Sequence, residues 1–173
     1  MSKQREHIPV LLKEVVREFE PEPGKRFIDA TLGFGGHTEA IIRNGGNVLG
    51  IEWDPKVLEK TKKRLSALNK AENNCPDAYW KFVKGNFRNI KDIAEGYDFC
   101  PVDGVLFDLG ISRWHYKKAE RGFSYKDESL DMRINPDTSL TAQKIINCYS
   151  FEELNELFSK LVQEKLAEPI ARA

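Results

Sequence analysis

The chain has 173 residues, enough for one domain with a substantial core, and its 40% hydrophobic and 31% charged residues are typical of a folded globular protein. Lysine plus arginine equal aspartate plus glutamate, which excludes a global basic field, so a nucleic-acid partner would have to meet a local patch. The cysteines Cys75, Cys100 and Cys148 are far apart, and the histidines share no acidic cluster. Neither a disulfide framework nor a metal site is expected.

The amino-terminal segments alternate between helical and strand-like patterns. Val10 to Phe19 carries apolar residues at helical spacing, and residues 21–24 end that helix. The string Asp29-Ala-Thr-Leu-Gly-Phe-Gly-Gly-His37 predicts the end of a short buried strand followed by a glycine-rich turn. A helix that buries residues 40–42 is expected next, ending at Gly45-Gly46.

Three further apolar runs complete a predicted sheet. They are residues 48–51, Tyr79 to Val83, and Val102 to Phe107. Asp54 followed by Pro55 predicts a helix start between the first two runs, with the aspartate as its cap. Strands separated by helices indicate βαβ units, so the predicted fold class is α/β with a parallel sheet.

The sequence changes character after residue 110. Residues 110–135 are polar, rich in aromatic residues and predicted to form a loop, and two helices are predicted to follow. The second helix begins at Ser150, which forms a capping box with Glu153, and it is predicted to end or kink at Pro169. The first helix is predicted to contain Leu140, Ile145 and Ile146, and the second is predicted to bury Leu154, Leu157, Phe158 and Leu161. We therefore divide the chain into residues 1–110, a nucleotide-binding half-sheet, and 111–173, an appended or inserted helical segment.

Residues suited to ligand contact follow the first two strands, and ligands of open α/β sheets bind outside the carboxyl ends of the strands. The glycine turn after Asp29 lets a ligand approach the backbone closely, although a purely structural tight turn is the alternative. Glu52 stands 23 residues after Asp29 and can accept both hydroxyls of a ribose. Its alternative is a solvated acid, and Asp54 competes for the role but is expected to cap a helix.

The later strands end in similar groups. Phe87 follows the third strand beside Asn86 and can flank an adenine or belong to the core. Asp108 ends the fourth strand, where it lies beside the reactive end of a ligand or caps a turn. The stretch Arg113 to Arg133 holds six basic and four acidic residues with aromatic residues among them. It can contact RNA phosphates and bases, or pack onto its own domain.

Six motifs occur together in this chain. They are His7 to Leu12, Asp29 to Thr38, Gly85 to Phe87, Val102 to Ser112, Glu120-Arg-Gly-Phe-Ser124 and Leu130-Asp-Met-Arg133. In this order they resemble the RsmH (MraW) family, whose members use S-adenosylmethionine to methylate the exocyclic N4 of a cytidine in small-subunit ribosomal RNA. The resemblance runs from His7 to the end of the chain, and the last two motifs are highly specific to the family.

The resemblance implies a Rossmann-like methyltransferase sheet, incomplete at roughly four parallel strands, with a partial helical insert for substrate recognition. It implies cofactor contacts at Gly33, Gly35, Gly36, His37, Glu52, Phe87, Asp108 and His115. His115 stands where the family usually has glutamine. Asp108 is the expected catalytic residue, which accepts a hydrogen bond from the target amine or orients the methyl donor. The expected RNA contacts are Arg113, Arg121 and Arg133.

The family continues well beyond the position that matches Ala173, so the resemblance predicts a truncated chain. Its open sheet edge is expected to meet the missing carboxyl-terminal half or a second copy in a homodimer. The expected partner is small-subunit ribosomal RNA or the assembled small subunit, in the cytoplasm and without a membrane. Two other hypotheses stand beside this one: a methyltransferase with another substrate, and a non-catalytic fragment that binds cofactor or RNA.

Overall fold

The structure is a computed structural model that describes residues 9–66, 68 and 78–173. Its contacts divide the chain into two compact units, Met1–Trp114 and His115–Ala173. The predicted assignment of cofactor binding to residues 1–110 and of substrate recognition to 111–173 stays a prediction. In the described residues, no helix is long and apolar enough to cross a membrane.

The first unit alternates helices with strands along the chain. Its elements are α1 (Leu12–Phe19), β1 (Arg26–Asp29), α2 (Gly36–Arg43), β2 (Asn47–Glu52), α3 (Pro55–Leu65), β3 (Trp80–Lys84), a 3₁₀ turn (Phe87–Asn89), α4 (Ile90–Gly96) and β4 (Gly104–Leu106). The next helix, α5 (Arg113–Lys118), begins at the end of this unit. The prediction of a loop over residues 110–135 was therefore wrong at α5.

The four strands form one parallel sheet in the order β3-β2-β1-β4. Phe27 of β1 is paired with Val48 on one side and with Gly104 on the other. The order reverses between β1 and β4, and this is the switch point at which open α/β sheets open a crevice at their carboxyl ends. The predicted α/β, Rossmann-like fold is therefore confirmed.

Both faces of the sheet are covered by apolar residues, because neighbouring residues of a strand point to opposite faces. One cluster contains Phe27, Leu32, Ile41, Ile42, Val48, Leu58, Leu65, Leu68 and Phe82. The other contains Ile28, Ala30, Leu49, Ile51, Val83, Ala94 and Phe99. Burial on both sides holds the strand ends, and therefore the candidate site, in place.

The element boundaries depart from the predicted ones by a few residues. The first helix begins at Leu12 because Leu11, its cap, has a φ of 52°, and Val10 and Leu11 are exposed. Strand β3 is shifted by one residue, and β4 is shorter than the predicted run from Val102 to Phe107. Among the described residues β4 pairs with β1 alone, and the 38% exposure of Val105 fits an edge strand.

The second unit contains α6 (Ala142–Cys148), α7 (Phe151–Glu156), a π-helical turn (Leu157–Leu161) and α8 (Ala167–Arg172). The predicted capping box of Ser150 and Glu153 is present in both directions. Leu140 lies before α6 rather than within it, which corrects the prediction for the first helix. Leu161 is exposed rather than buried, and Leu154, Leu157 and Phe158 are only partly buried. The predicted end or kink at Pro169 is wrong, because the helix that follows Ser150 ends with its π-helical turn at Leu161. Pro169 lies in the first turn of α8, where proline is tolerated because the N–H of that position has no helical partner.

Candidate functional site

The carboxyl end of β1 is built around a buried acid. Asp29 is 1% exposed, its Oδ2 accepts a hydrogen bond of 2.6 Å from the Thr38 hydroxyl, and its Oδ1 accepts one of 3.3 Å from the Thr31 backbone N–H. Burial raises the pKa of Asp29, against the lowering effect of the Thr38 hydrogen bond and of nearby His37. The acid is therefore held inside the protein beneath the glycine turn and does not face a ligand.

The glycine turn is constrained mainly by its own packing. Gly33 and Gly35 have φ values of 50° and 72°, which disfavour side chains. A Cβ at Gly35 would lie 2.7 Å from Leu65 Cδ1, and one at Gly36 would lie 2.2 Å from Pro9 Cγ. These two glycines are required by contacts within the first unit, so their structural role stands beside the predicted role in cofactor contact.

Glu52, at the end of β2, joins this turn to the next helix. Its Oε2 accepts a hydrogen bond of 2.8 Å from the Gly33 N–H, and its Oε1 accepts one of 2.8 Å from the Asp54 N–H. The side chain is 9% exposed. The two bonds hold the carboxylate in one orientation at the end of β2.

Asp54 is committed to the helix that follows, as the sequence predicted. Its side chain accepts a hydrogen bond of 2.8 Å from the Lys56 N–H at the start of α3, and Pro55 occupies the first helical position. The residue is fully buried. Asp54 is therefore a helix cap, and the ribose contact predicted for Glu52 stays a prediction.

The ends of β3 and β4 carry two exposed aromatic rings. Phe87 is 41% exposed and Phe107 is 47% exposed, and they meet edge to face with ring centroids 5.7 Å apart. Phe87 was predicted either to flank an adenine or to belong to the core, and its exposure argues against the core. The Asn86 side chain accepts from the Arg88 N–H at 2.9 Å, so it caps the 3₁₀ turn that holds Phe87.

Asp108 is tied to the end of β1 through its backbone. Its N–H donates to the Thr31 hydroxyl oxygen at 2.7 Å, while its side chain is half-buried and close enough to Asp29 to raise the pKa of that acid. The strand ends on both sides of the switch point are therefore connected by Thr31. This connection leaves the Asp108 carboxylate at the crevice between β1 and β4.

His37 has a structural partner. Its ring is 7% exposed, and Nε2 donates to the Val10 carbonyl oxygen at 2.8 Å, which anchors the segment before α1 to α2. In the second unit His115 is also buried, at 6% exposure, and its ring meets Phe123 edge to face at 5.9 Å. For both histidines the cofactor contact stays a prediction, with burial as an argument against it.

Two of the three arginines predicted to contact RNA are engaged within the second unit. Arg121 is 7% exposed and donates to the carbonyl oxygens of Arg133 and Ile134. Arg133 binds the Asp131 carboxylate at 2.8 and 2.6 Å and donates to the carbonyl oxygens of Pro136 and Thr138. These bonds favour a role in folding the insert over direct phosphate contact, whereas Arg113 is exposed.

The two specific motifs of the insert also bind each other. The Met132 N–H donates to the Arg121 carbonyl oxygen at 2.6 Å. A Cβ at Gly122 would lie 2.4 Å from the Ser129 carbonyl oxygen, so this position accepts only glycine. The motifs Glu120–Ser124 and Leu130–Arg133 therefore form one folded loop.

A comparison with known proteins identifies the family of this chain. The sequence matches the MraW methylase family over residues 4–173. The chain belongs to the MraW methylase family. The matched range contains all six motifs that carried the resemblance.

Curated relatives carry the name ribosomal RNA small subunit methyltransferase H. The protein of Dehalococcoides mccartyi strain BAV1 is 41% identical over 171 residues, which are 96% of this chain and 47% of that protein. The Halothermothrix orenii protein is 42% identical over 170 residues and 52% of its length. This MraW chain therefore spans about half the length of the curated relatives it matches.

Solved structures give partial similarities. A crystal structure titled as an rRNA-methylase from Clostridium thermocellum has a TM-score of 0.46 and 26% identity, covering 61% of this chain and 54% of that one. A protein-L-isoaspartate O-methyltransferase has a TM-score of 0.43 and 20% identity, covering 58% and 29%. The assignment of the fold rests on the strand order and pairing described above.

The structure brings Gly33, Glu52 and Asp108 to one edge of the sheet of this MraW chain, with Phe87 at the end of β3 on the same edge. The sequence did not identify Thr31 and Thr38 as part of the site. Both donate to the buried Asp29, and the Thr31 hydroxyl oxygen also accepts from the Asp108 N–H. Thr38 stands next to the predicted site residue His37, and a buried aspartate requires donors, so a search for nearby hydroxyls was the available signal.

Among the described residues no group of acids, histidines and cysteines is arranged to bind a metal; His7 and Cys75 lie outside those residues.

Proposed function

We propose that the carboxyl edge of the sheet binds S-adenosylmethionine, with Glu52 accepting hydrogen bonds from the ribose hydroxyls. The observation that carries this proposal is the carboxylate of Glu52, which the backbone N–H groups of Gly33 and Asp54 hold in place at the end of β2. A carboxylate oriented in this way at the end of β2 suits a vicinal diol. Membership of the MraW methylase family supports the same ligand.

The other groups of the edge fit the remaining parts of the cofactor. The exposed ring of Phe87 offers an apolar surface to an adenine. The amino-terminal turn of α2 directs backbone N–H groups toward the same edge, and such a helix end favours a carboxylate. These fits cover the base, the sugar and the amino-acid part of the cofactor.

The reaction we propose is transfer of a methyl group to the N4 of a cytidine in small-subunit ribosomal RNA, by the full-length protein that contains this chain. When bound, the cofactor supplies a methyl group that its sulfonium already activates. The N4 lone pair of cytosine is delocalised into the ring, so the protein has to unstack the base, orient it and exclude water. Asp108, beside the switch point, accepts a hydrogen bond from the amine and orients its lone pair toward the methyl group. The bond from N4 to the methyl carbon forms as the bond from that carbon to sulfur breaks, and the proton that N4 loses leaves through the hydrogen bond to Asp108.

The RNA substrate is inferred from the family and from the names of the relatives, and it goes with a cytoplasmic location for this protein. In the insert, the exposed Arg113 is the arginine suited to direct contact with RNA. Arg121 and Arg133 support such contact by maintaining the fold of the loop.

The test is methyl transfer by the full-length protein to purified small ribosomal subunits, with N4-methylcytidine measured by mass spectrometry. We expect Asp108→Asn to lower the rate by about two orders of magnitude, the usual size of an orienting or proton-accepting contribution. Asp92→Asn, the same change at an exposed position of α4, is the control and retains the rate. A full rate in Asp108→Asn would remove this residue from the mechanism, and methylation of protein in place of RNA would contradict the substrate.

A further inference from the structure

Two side chains of α3 bind the carbonyl groups of the glycine turn. The Thr61 hydroxyl donates to the Gly33 carbonyl oxygen at 2.6 Å. Further along the same face of α3, Arg64 Nε donates to the Phe34 carbonyl oxygen at 2.8 Å, and Nη2 donates to the Gly35 carbonyl oxygen at 2.8 Å. Consecutive carbonyl groups of the turn are therefore held by one helix that lies outside the candidate site.

These bonds determine the direction of N–H groups in the turn, because the N–H of a trans peptide lies opposite to the carbonyl of the same peptide. The Gly35 carbonyl and the Gly36 N–H belong to one peptide, and this N–H is the first of α2. The Gly35 oxygen accepts from Arg64 and also from the Glu39 N–H at 2.9 Å. The Gly36 N–H therefore points away from the Arg64 guanidinium, and it belongs to the helix end that we propose for the carboxylate of the cofactor.

The same turn is joined to the acid proposed for the ribose. The Gly33 N–H donates to Glu52 Oε2 at 2.8 Å, while the Gly33 carbonyl accepts from Thr61, which is fully buried. The Gly35 N–H donates to the Leu32 carbonyl oxygen at 2.7 Å, which closes the turn. A change in the turn therefore reaches the Glu52 carboxylate through a single hydrogen bond.

The Arg64 guanidinium is itself anchored. Its Nη1 donates to Glu39 Oε2, and Arg43 Nε donates to Glu39 Oε1 at 3.0 Å. Partial burial opposes ionisation of Glu39, but the hydrogen bonds from Arg64 and Arg43 outweigh it, so the pKa of Glu39 lies below its usual value. Although the Arg64 side chain is 39% exposed, each of its three guanidinium nitrogens donates to a different residue. A lysine, with its donors on one nitrogen, cannot reproduce this fork.

We propose that Arg64 is a positioning residue of the cofactor site, whose fork holds the glycine turn so that the Gly36 N–H and the Glu52 carboxylate are presented to S-adenosylmethionine. Arg64 acts through the carbonyl groups of Phe34 and Gly35 and not by contact with the cofactor. The inference rests on the proposed function, because the turn has this role only if the edge binds the cofactor. It assigns a function to an exposed arginine of α3.

The experiment titrates the 173-residue chain with S-adenosylhomocysteine in a calorimeter. Arg64→Gln removes both the fork and its charge, whereas Arg64→Lys removes the fork and keeps the charge. Arg43→Gln is the matched control, because it removes the other arginine that binds Glu39 and leaves the bonds of the turn in place. Urea denaturation of each variant defines the conditions in which it is folded, and the titrations are made under those conditions.

Amide hydrogen exchange of the free chain gives a readout that does not need the cofactor. The Gly35 N–H reports on the turn, and the Val48 N–H, which donates to the Tyr79 carbonyl oxygen at 2.9 Å, reports on the sheet. In both Arg64 variants we expect the Gly35 N–H to exchange about tenfold faster relative to the Val48 N–H, as local opening no longer breaks charge-assisted hydrogen bonds. An unchanged ratio of the two exchange rates overturns the positioning role.

We expect both folded Arg64 variants to bind S-adenosylhomocysteine about tenfold more weakly than the unaltered chain, because the turn then has to be ordered on binding. Arg43→Gln binds like the unaltered chain. A loss of stability alone would leave the affinity of the folded variants unchanged. Equal affinity of the Arg64 variants and Arg43→Gln, or full affinity in Arg64→Lys, overturns the positioning role while binding by the unaltered chain upholds the proposed function. Absence of binding by the unaltered chain overturns both.

Discussion

Asp29 connects the residues of the candidate site from inside the protein. Its carboxyl group accepts from Thr31 and Thr38, and the Thr31 hydroxyl oxygen in turn accepts from the Asp108 backbone N–H. The acid is buried, and burial raises its pKa above the ordinary value. Protonation of Asp29 is therefore coupled to folding.

The sign of this coupling follows from the raised pKa. As the pH rises above the ordinary value for aspartate, the unfolded chain releases its proton first, so the free energy of unfolding falls until the pH passes the folded pKa. We expect the unaltered protein to lose stability relative to Asp29→Asn as the pH rises from about 4 to about 7. Urea denaturation at both pH values measures the difference, with the exposed Asp92→Asn as the control. A difference that is independent of pH would contradict a raised pKa.

Residue roles were predictable where the signal was local. Asp54 before Pro55 is a helix start in any fold, and the structure confirms the cap. The bond from Gly33 to Glu52 and the bond from Thr38 to Asp29 depend on how separate segments meet, so the sequence identified the acids but not their donors. The burial of Arg121 was missed for the same reason, because arginine is usually exposed and its carbonyl partners lie 12 and 13 residues away.

At the scale of elements, the glycine turn between β1 and α2 determines how the candidate site is held. Gly35 has a φ of 72°, and a Cβ at this position would lie 2.7 Å from Leu65 Cδ1. The sequence predicted the turn, and the packing of α3 against it explains why this glycine cannot carry a side chain.

Gly35→Ala is therefore expected to cost at least about 1 kcal/mol of unfolding free energy, through the left-handed backbone and the contact with Leu65. The matched change is Gly96→Ala at the end of α4, where no atom lies within 4 Å of the added Cβ. Because alanine favours helix, that variant should be as stable as the parent or slightly more stable. Chemical denaturation compares the two, and equal stability of both variants would refute the steric argument.

Element types were more predictable than element ends. The alternation of apolar runs and helical patterns in the first unit predicted all four strands, although β3 and β4 begin and end at different residues. In the second unit the capping box predicted the start of α7. The core predicted from the apolar spacing of that helix was wrong at Leu161, which is 80% exposed. Local signals mark where a helix begins, whereas burial depends on what packs against it.

At the scale of the whole molecule, the parallel order β3-β2-β1-β4 gathers Gly33, Glu52 and Asp108 at one edge. The motifs predicted this arrangement because strands of a parallel sheet share a carboxyl edge, and membership of the MraW methylase family agrees with it.

Calorimetric titration of the 173-residue chain with S-adenosylmethionine tests whether this edge binds the cofactor through Glu52. We expect saturable one-to-one binding that is weakened at least about tenfold in Glu52→Gln, because a charged acceptor for the ribose contributes roughly 1.5–3 kcal/mol. Glu59→Gln, the same change at an exposed residue of α3, should bind like the parent. Absence of binding by the folded chain, or equal affinity of the Glu52 variant and the parent, would contradict the claim.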